Sequence, residues 1–158
     1  MATPTVITKG GLVPQDESVY RALNPKHFEG DLPGDSHFVM PQNRPPGDGV
    51  STGIASLITI AELRSIEAIS RNYGDAFAVA ELVVGEVLAP VITLGISVIQ
   101  QDDAAWGAFS SAHAVITGYQ VLTGREGKRK IRDFQRHLVS LARRRYYAAG
   151  SDTATSAD

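Results

Sequence analysis

The chain has 158 residues, no cysteine, 43% apolar and 20% charged side chains, and a formal net charge of -2. That length suits one domain with a substantial core, and the composition is that of an ordinary globular protein. The absence of cysteine excludes disulfides and thiolate metal sites, and no apolar run reaches the roughly 18 residues of a membrane span, so a cytoplasmic protein without membrane contact is expected.

Residues 1–17 show no hydrophobic period and contain Pro4, Gly10, Gly11 and Pro14, which predicts an arm that is loose or draped on the domain. SVYRAL, from Ser18 to Leu23, reads as a first strand or extended segment that Asn24 and Pro25 stop. The stretch that follows, up to Gly53, is crowded with Gly and Pro, and HFVM is its only strand-like island. A loop this long inside a domain usually binds something or folds over a site.

Thr59 and Glu62 form a capping box, in which hydroxyl and carboxylate each satisfy a backbone N–H that the first helical turn leaves unpaired. Leu63, Ile66, Ile69 and Tyr73 continue at helical spacing to Gly74, predicting a helix over 60–72. AFAVAELVV, from Ala76 to Val84, reads as a central strand, a short helical turn follows around 85–89, and TLGISVI is another strand. QQDDAAWGAFSS reads as a loop. SSAHAVITGYQ, residues 110–120, then returns to the sheet with His113, Val115, Thr117 and Tyr119 on one face.

Ile131, Phe134, Leu138 and Leu141 form the apolar stripe of a C-terminal helix over about 125–147, and GSDTATSAD reads as a disordered tail. The expected domain is therefore 18–149, between the arm and a tail at 150–158. Its class is α+β, with a small mixed or antiparallel sheet and two main helices packed on it.

No Walker loop, GxGxxG, HExxH or GxSxG motif occurs, and no cofactor is implied. The histidines are His27, His37, His113 and His137, and no two of them stand at i, i+4, so no metal is assigned. His113 suits general acid–base work, because an imidazole titrates near neutral pH. The alternative is that its ring holds a loop carbonyl at the end of the sheet. Its candidate partners lie in the turn-rich region: His27, Asp35, Ser36, His37 and Ser51. Residues 125–145 hold nine of the fifteen Lys and Arg against two acids, so Lys128, Arg129, Arg132 and Arg136 are candidate contacts to phosphates or to an acidic protein partner.

VYRALNP, SHFVMP, GVSTG, ITIAEL, FAVAELVVGEV and AHAVITG, together covering about residues 18–118, resemble a group of small uncharacterised bacterial proteins. That group combines a strand bearing Arg, an S-x-F-x-P loop, a Leu-Ser-Val-like step, a Thr-initiated helix and a closing HAVI strand. Arg21, Ser36, Phe38, Ser51 and His113 fall on the pattern, while Gly49 and Val50 depart from the usual Leu before Ser. The resemblance implies a common fold and no activity. VYRAL with GVSTG also resembles the start of ADP-ribosyltransferase domains, which continue to a strand-borne glutamate; here Glu81 or Glu86 would take that place, neither of them in a Glu-x-Glu.

The leading expectation is a binding module that recognises a partner protein or small ligand through the 24–53 loop and the sheet end near His113, with His27, Ser36, His37 and Phe38 as contacts. One competing expectation is a hydrolase or transferase of a nucleotide or RNA substrate, similar to ADP-ribosyltransferases, that uses His113 with Arg21 and Ser51. The other is nucleic-acid binding through the basic helix.

Overall fold

Short segments rich in valine, alanine and threonine build one large sheet, each burying alternate side chains on opposite faces. The structure is a computed structural model, which describes residues 7–24, 28–29, 32–34, 38, 49–71, 77–91, 94–149, 151 and 153–155, with 67–71 by backbone alone. The strands are β1 (Ser18–Leu23), β2 (Phe28–Glu29), β3 (Leu32–Pro33), β4 (Val50–Ile54), β5 (Ala78–Val83), β6 (Ser97–Gln100), β7 (His113–Thr117), β8 (Tyr146–Tyr147) and β9 (Ala154–Thr155). The helices are α1 (Ile60–Arg71), α2 (Val84–Leu88) and α3 (Gly124–Arg144), with 3-10 segments at Ala104–Ala112 and Tyr119–Val121.

Seven strands form the sheet in the order β6-β7-β4-β1-β5-β8-β9, with every neighbouring pair antiparallel, while β2 and β3 form a separate hairpin. The fold is α+β, as expected, but the sheet is larger than the small one the sequence suggested. Part of the difference lies at the C-terminus. Helix α3 stops at Arg144, and Tyr146–Tyr147 leaves it as β8 against Val79 and Ala80. Ala154–Thr155, expected in a disordered tail, adds β9 beyond it.

Each face of the sheet is covered by its own helix. On one side Val19, Leu23, Ile54, Leu82 and Ile116 cluster with Phe134, Leu138 and Leu141 of α3. On the other, Val79, Phe77, Trp106 and Tyr147 cluster with Leu63, Ile60 and Ile66 of α1. The capping box forms as read: Thr59 N–H donates to Glu62 Oε1 at 2.9 Å, and Glu62 N–H to Thr59 Oγ1 at 3.1 Å. Pairing is uneven along the sheet. Strand β1 meets β5 at six positions, from Ser18↔Val83 to Leu23↔Ala78, but meets β4 only at Val19↔Ile54 and Tyr20↔Gly53. Arg21 to Leu23 and Val50 to Thr52 therefore diverge, leaving a split in the middle of the sheet.

The described part of the N-terminal arm is draped along the outer edge of β6. Val13 N–H donates to Val98 O, and Gln100 N–H donates to Gly11 O, both at 2.9 Å. Those bonds satisfy the backbone groups of an edge strand that would otherwise invite pairing with another chain.

Candidate functional site

The β4–β7 register sets Gly53 opposite His113 and Ser51 opposite Val115, so Ser51 and His113 are diagonal neighbours on the α1 side of the sheet. Ser51 Oγ lies 2.7 Å from His113 Nε2. His113 Nδ1 lies 2.7 Å from the carbonyl oxygen of Gln101. A carbonyl can only accept, so Nδ1 carries the proton, and in the neutral ring Nε2 presents a lone pair that accepts the Ser51 hydroxyl proton. The imidazole is only 3% exposed, and both of its nitrogens are engaged.

The Gln101–Asp103 strap is held by bonds of its own. Gln101 N–H donates to His113 O at 3.0 Å, so Gln101 and His113 grip each other twice. Asp103 accepts from Ala105 N–H and donates its own N–H to Ser110 Oγ, both at 3.0 Å, which caps the 3-10 segment. That cap leaves the Asp103 carboxylate 3.8 Å from His113 Nε2, beyond hydrogen-bond range. The Trp106 indole closes the other side, edge-on to the imidazole with centroids 4.8 Å apart. Gly53 makes room for it, since a Cβ there would sit 3.3 Å from Trp106 and 3.1 Å from Ile58.

Arg21 reaches Ser51 from the split. Its Nη1 donates to the Ser51 carbonyl oxygen at 2.8 Å, where the missing β1–β4 rungs leave that oxygen without a ladder partner. Strand alternation puts Arg21 with Val19 and Leu23, on the opposite face from Tyr20 and Ala22. Arg21 and His113 therefore converge on Ser51 from opposite faces: Arg21 holds its main chain and His113 its hydroxyl.

The remaining candidates lie elsewhere. His27, Ser36 and His37 fall outside the described residues. Phe38, expected as a ligand contact, is fully buried in the core cluster that contains α3, because an aromatic ring gains more from that apolar layer than from solvent. Lys128, Arg129, Arg132 and Arg136 are exposed on α3. Glu81 is committed to a different network, accepting from Arg145 Nε at 2.8 Å and from the Tyr147 hydroxyl at 3.0 Å. Arg145 and Tyr147 thereby hold the carboxylate that the ADP-ribosyltransferase resemblance would place at the cofactor. The backbone carbonyl of Glu86 holds His137 Nε2 at 2.7 Å.

Gln101, Asp103 and Trp106 escaped the sequence reading. The only local signal was an aspartate ahead of small residues, which suits a cap, and nothing local linked that turn to His113.

A cleft of about 440 Å³ opens between Lys9, Gln100, Asp102, Ser111 and the Ser56–Leu57 turn. The Gln100 amide and the Lys9 ammonium, the latter 3.1 Å away, hold the Asp102 carboxyl below its usual range. Gln100 pairs with Ala114 and so projects from the face opposite His113, which separates this cleft from the Ser51–His113 pair. Among the described residues no cluster of three His, Asp or Glu could hold a metal, and no helix is long and apolar enough to cross a membrane.

No family model, curated protein or solved structure matches the chain.

Proposed function

We propose that the chain is a hydrolase or transferase of a nucleotide-type substrate, similar in kind to ADP-ribosyltransferases, in which Arg21, Ser51 and His113 are the working residues. The observation that carries this reading is the 2.7 Å contact between Ser51 Oγ and His113 Nε2, with Nδ1 fixed on the Gln101 carbonyl. A hydroxyl bonded to an imidazole that a third group orients is an arrangement used for proton abstraction and nucleophilic activation. Arg21 donates to the Ser51 carbonyl and so fixes the strand that presents the hydroxyl.

On NAD the reaction would be hydrolysis of the bond between ribose and nicotinamide. A water oxygen bonds to the ribose anomeric carbon, the bond from that carbon to nicotinamide breaks, and neutral nicotinamide leaves with the bonding pair. The water's surplus proton passes to Ser51 Oγ as that hydroxyl gives its own proton to His113 Nε2, and it returns to solvent by the same route.

A second reading draws on the same geometry. A ring that is 3% exposed and satisfied at both nitrogens can serve purely to pin the 101–103 strap to β4, within a module that binds a partner through the 24–53 loop. Nicotinamide release from NAD, ADP-ribose transfer to a protein acceptor and calorimetric NAD binding separate the two. The enzyme reading expects binding and release by the native chain, with release lost in His113→Gln while the variant stays folded. Absence of both binding and release in the native chain removes that reading and leaves the module.

A further inference from the structure

We infer that the outer side of α3 is a docking surface for the phosphate backbone of double-stranded nucleic acid, contacted without regard to base sequence. Arg125, Lys128, Arg129, Arg132 and Arg136 recur at steps of three and four residues, so they lie along one side of the helix, and all five are exposed. From first to last they span about 16 Å of helix axis at 1.5 Å per residue. Two of them have weak local partners: Arg129 pairs with Glu126, and Arg136 approaches Asp133 at 4.0 Å, with every one of these side chains more than half exposed. Arg125, Lys128 and Arg132 form no ion pair among the described residues.

Three observations select the occupant. Four of the five cations are guanidiniums, whose planar forks match phosphate oxygens two at a time. The row contains no apolar side chain, whereas a protein partner would need an apolar centre to its interface. Among the described residues the exposed large hydrophobics are Leu12, Leu57 and Val121, none of them on α3. The row also lacks an aromatic platform for unstacked bases, since Phe134, the helix's aromatic residue, is 1% exposed and turned into the core.

The opposite stripe of Ile131, Phe134, Leu138 and Leu141 fastens α3 to the sheet. The helix therefore offers one flank and cannot sink into a groove to read base edges. Contacts from that flank go to phosphates, which position a protein on a duplex but carry no sequence information. The rest of the chain is acidic, so the attraction is confined to this flank and is readily screened.

The test is fluorescence anisotropy of a labelled 20-base-pair duplex titrated with the full chain between 20 and 200 mM NaCl. Binding is expected at 20 mM, with log affinity falling against log salt at a slope of about -3 to -4, or roughly -0.9 per neutralised phosphate. The triple variant Arg125→Gln, Lys128→Gln, Arg132→Gln changes exposed side chains only; it should bind at least tenfold more weakly at 20 mM and lose most of the slope. Unaltered binding of a second, unrelated duplex confirms indifference to sequence. The inference is overturned by an unchanged anisotropy at 20 mM, by a triple variant within twofold of the native chain, or by tighter binding to the corresponding single strand. Stronger competition by polyglutamate than by unlabelled duplex at equal charge overturns it in favour of an acidic protein partner.

Discussion

Replacing Ser51 with alanine tests the bond on which the proposed site rests. The substitution deletes one hydroxyl from a half-buried position and leaves the strand, the Arg21 contact to the carbonyl and the Gln101 anchor in place. Its cost has two parts. The net value of the hydrogen bond is about 1 kcal/mol, and a buried acceptor left unpaired adds about 1 kcal/mol or more. His113 Nε2 is such an acceptor, on a residue 3% exposed, with the Asp103 carboxylate too far away at 3.8 Å to replace the hydroxyl. A loss of about 2 kcal/mol lowers the melting temperature by about 4–8 °C for a chain of this size. Differential scanning calorimetry of native, Ser51→Ala and Ser51→Thr chains measures it, and the threonine variant, which keeps a hydroxyl and suits a strand, should recover most of the loss. A Ser51→Ala chain melting within 1 °C of the native one would falsify the bond. A chain that melts lower yet releases nicotinamide at the native rate would show that the bond pins the strap and takes no part in chemistry.

Phe38 is fully buried, so Phe38→Ala should destabilise the chain by about 3–5 kcal/mol in urea unfolding; a change under about 0.5 kcal/mol would return Phe38 to the surface and to ligand contact. The alkaline limb of stability should depend on Tyr20 and Tyr147. Burial, with a smaller contribution from the Glu81 carboxylate, raises both phenols above their ordinary value of 10.0. The unfolded chain then gives up these protons before the folded one does, so their contribution is full below pH 10 and is lost as pH rises through the raised values. Unfolding free energies measured from pH 8 to 11 should fall more gently in Tyr147→Phe; an identical slope would place the alkaline loss elsewhere.

What the sequence disclosed follows the range of the interactions involved. The Thr59–Glu62 box is complete within four residues, so the start of α1 was legible, as were the apolar stripe of α3, the apolar runs of β1 and β5 and the alternation in β7. The hidden features depend on distant backbone. Tyr146–Tyr147 continues the helical pattern of α3 in sequence, yet it becomes a strand because Val79 and Ala80 offer it a ladder. The arm at Gly11 to Val13 and the late strand at Ala154–Thr155 carry no strand signal and are ordered by the edges they cover. Arg21, Ser51 and His113 were named together as candidates from residue type alone. Their meeting required the β4–β7 register and the early end of β1–β4 pairing, neither of which is written in any local run of residues.

The brevity of that pairing has a mechanical consequence. Strands β6, β7 and β4 form one leaf of the sheet and β1, β5, β8 and β9 the other, bound along a spine of Val19–Tyr20 and Gly53–Ile54. The Ala55 N–H to Ser18 O bond lengthens that spine by one rung, and the buried cluster of Val19, Leu23, Ile54 and Ile116 joins the two leaves across it. Where main-chain rungs stop, the Arg21 guanidinium takes over as a side-chain clasp, tying the open margin together through the Ser51 carbonyl.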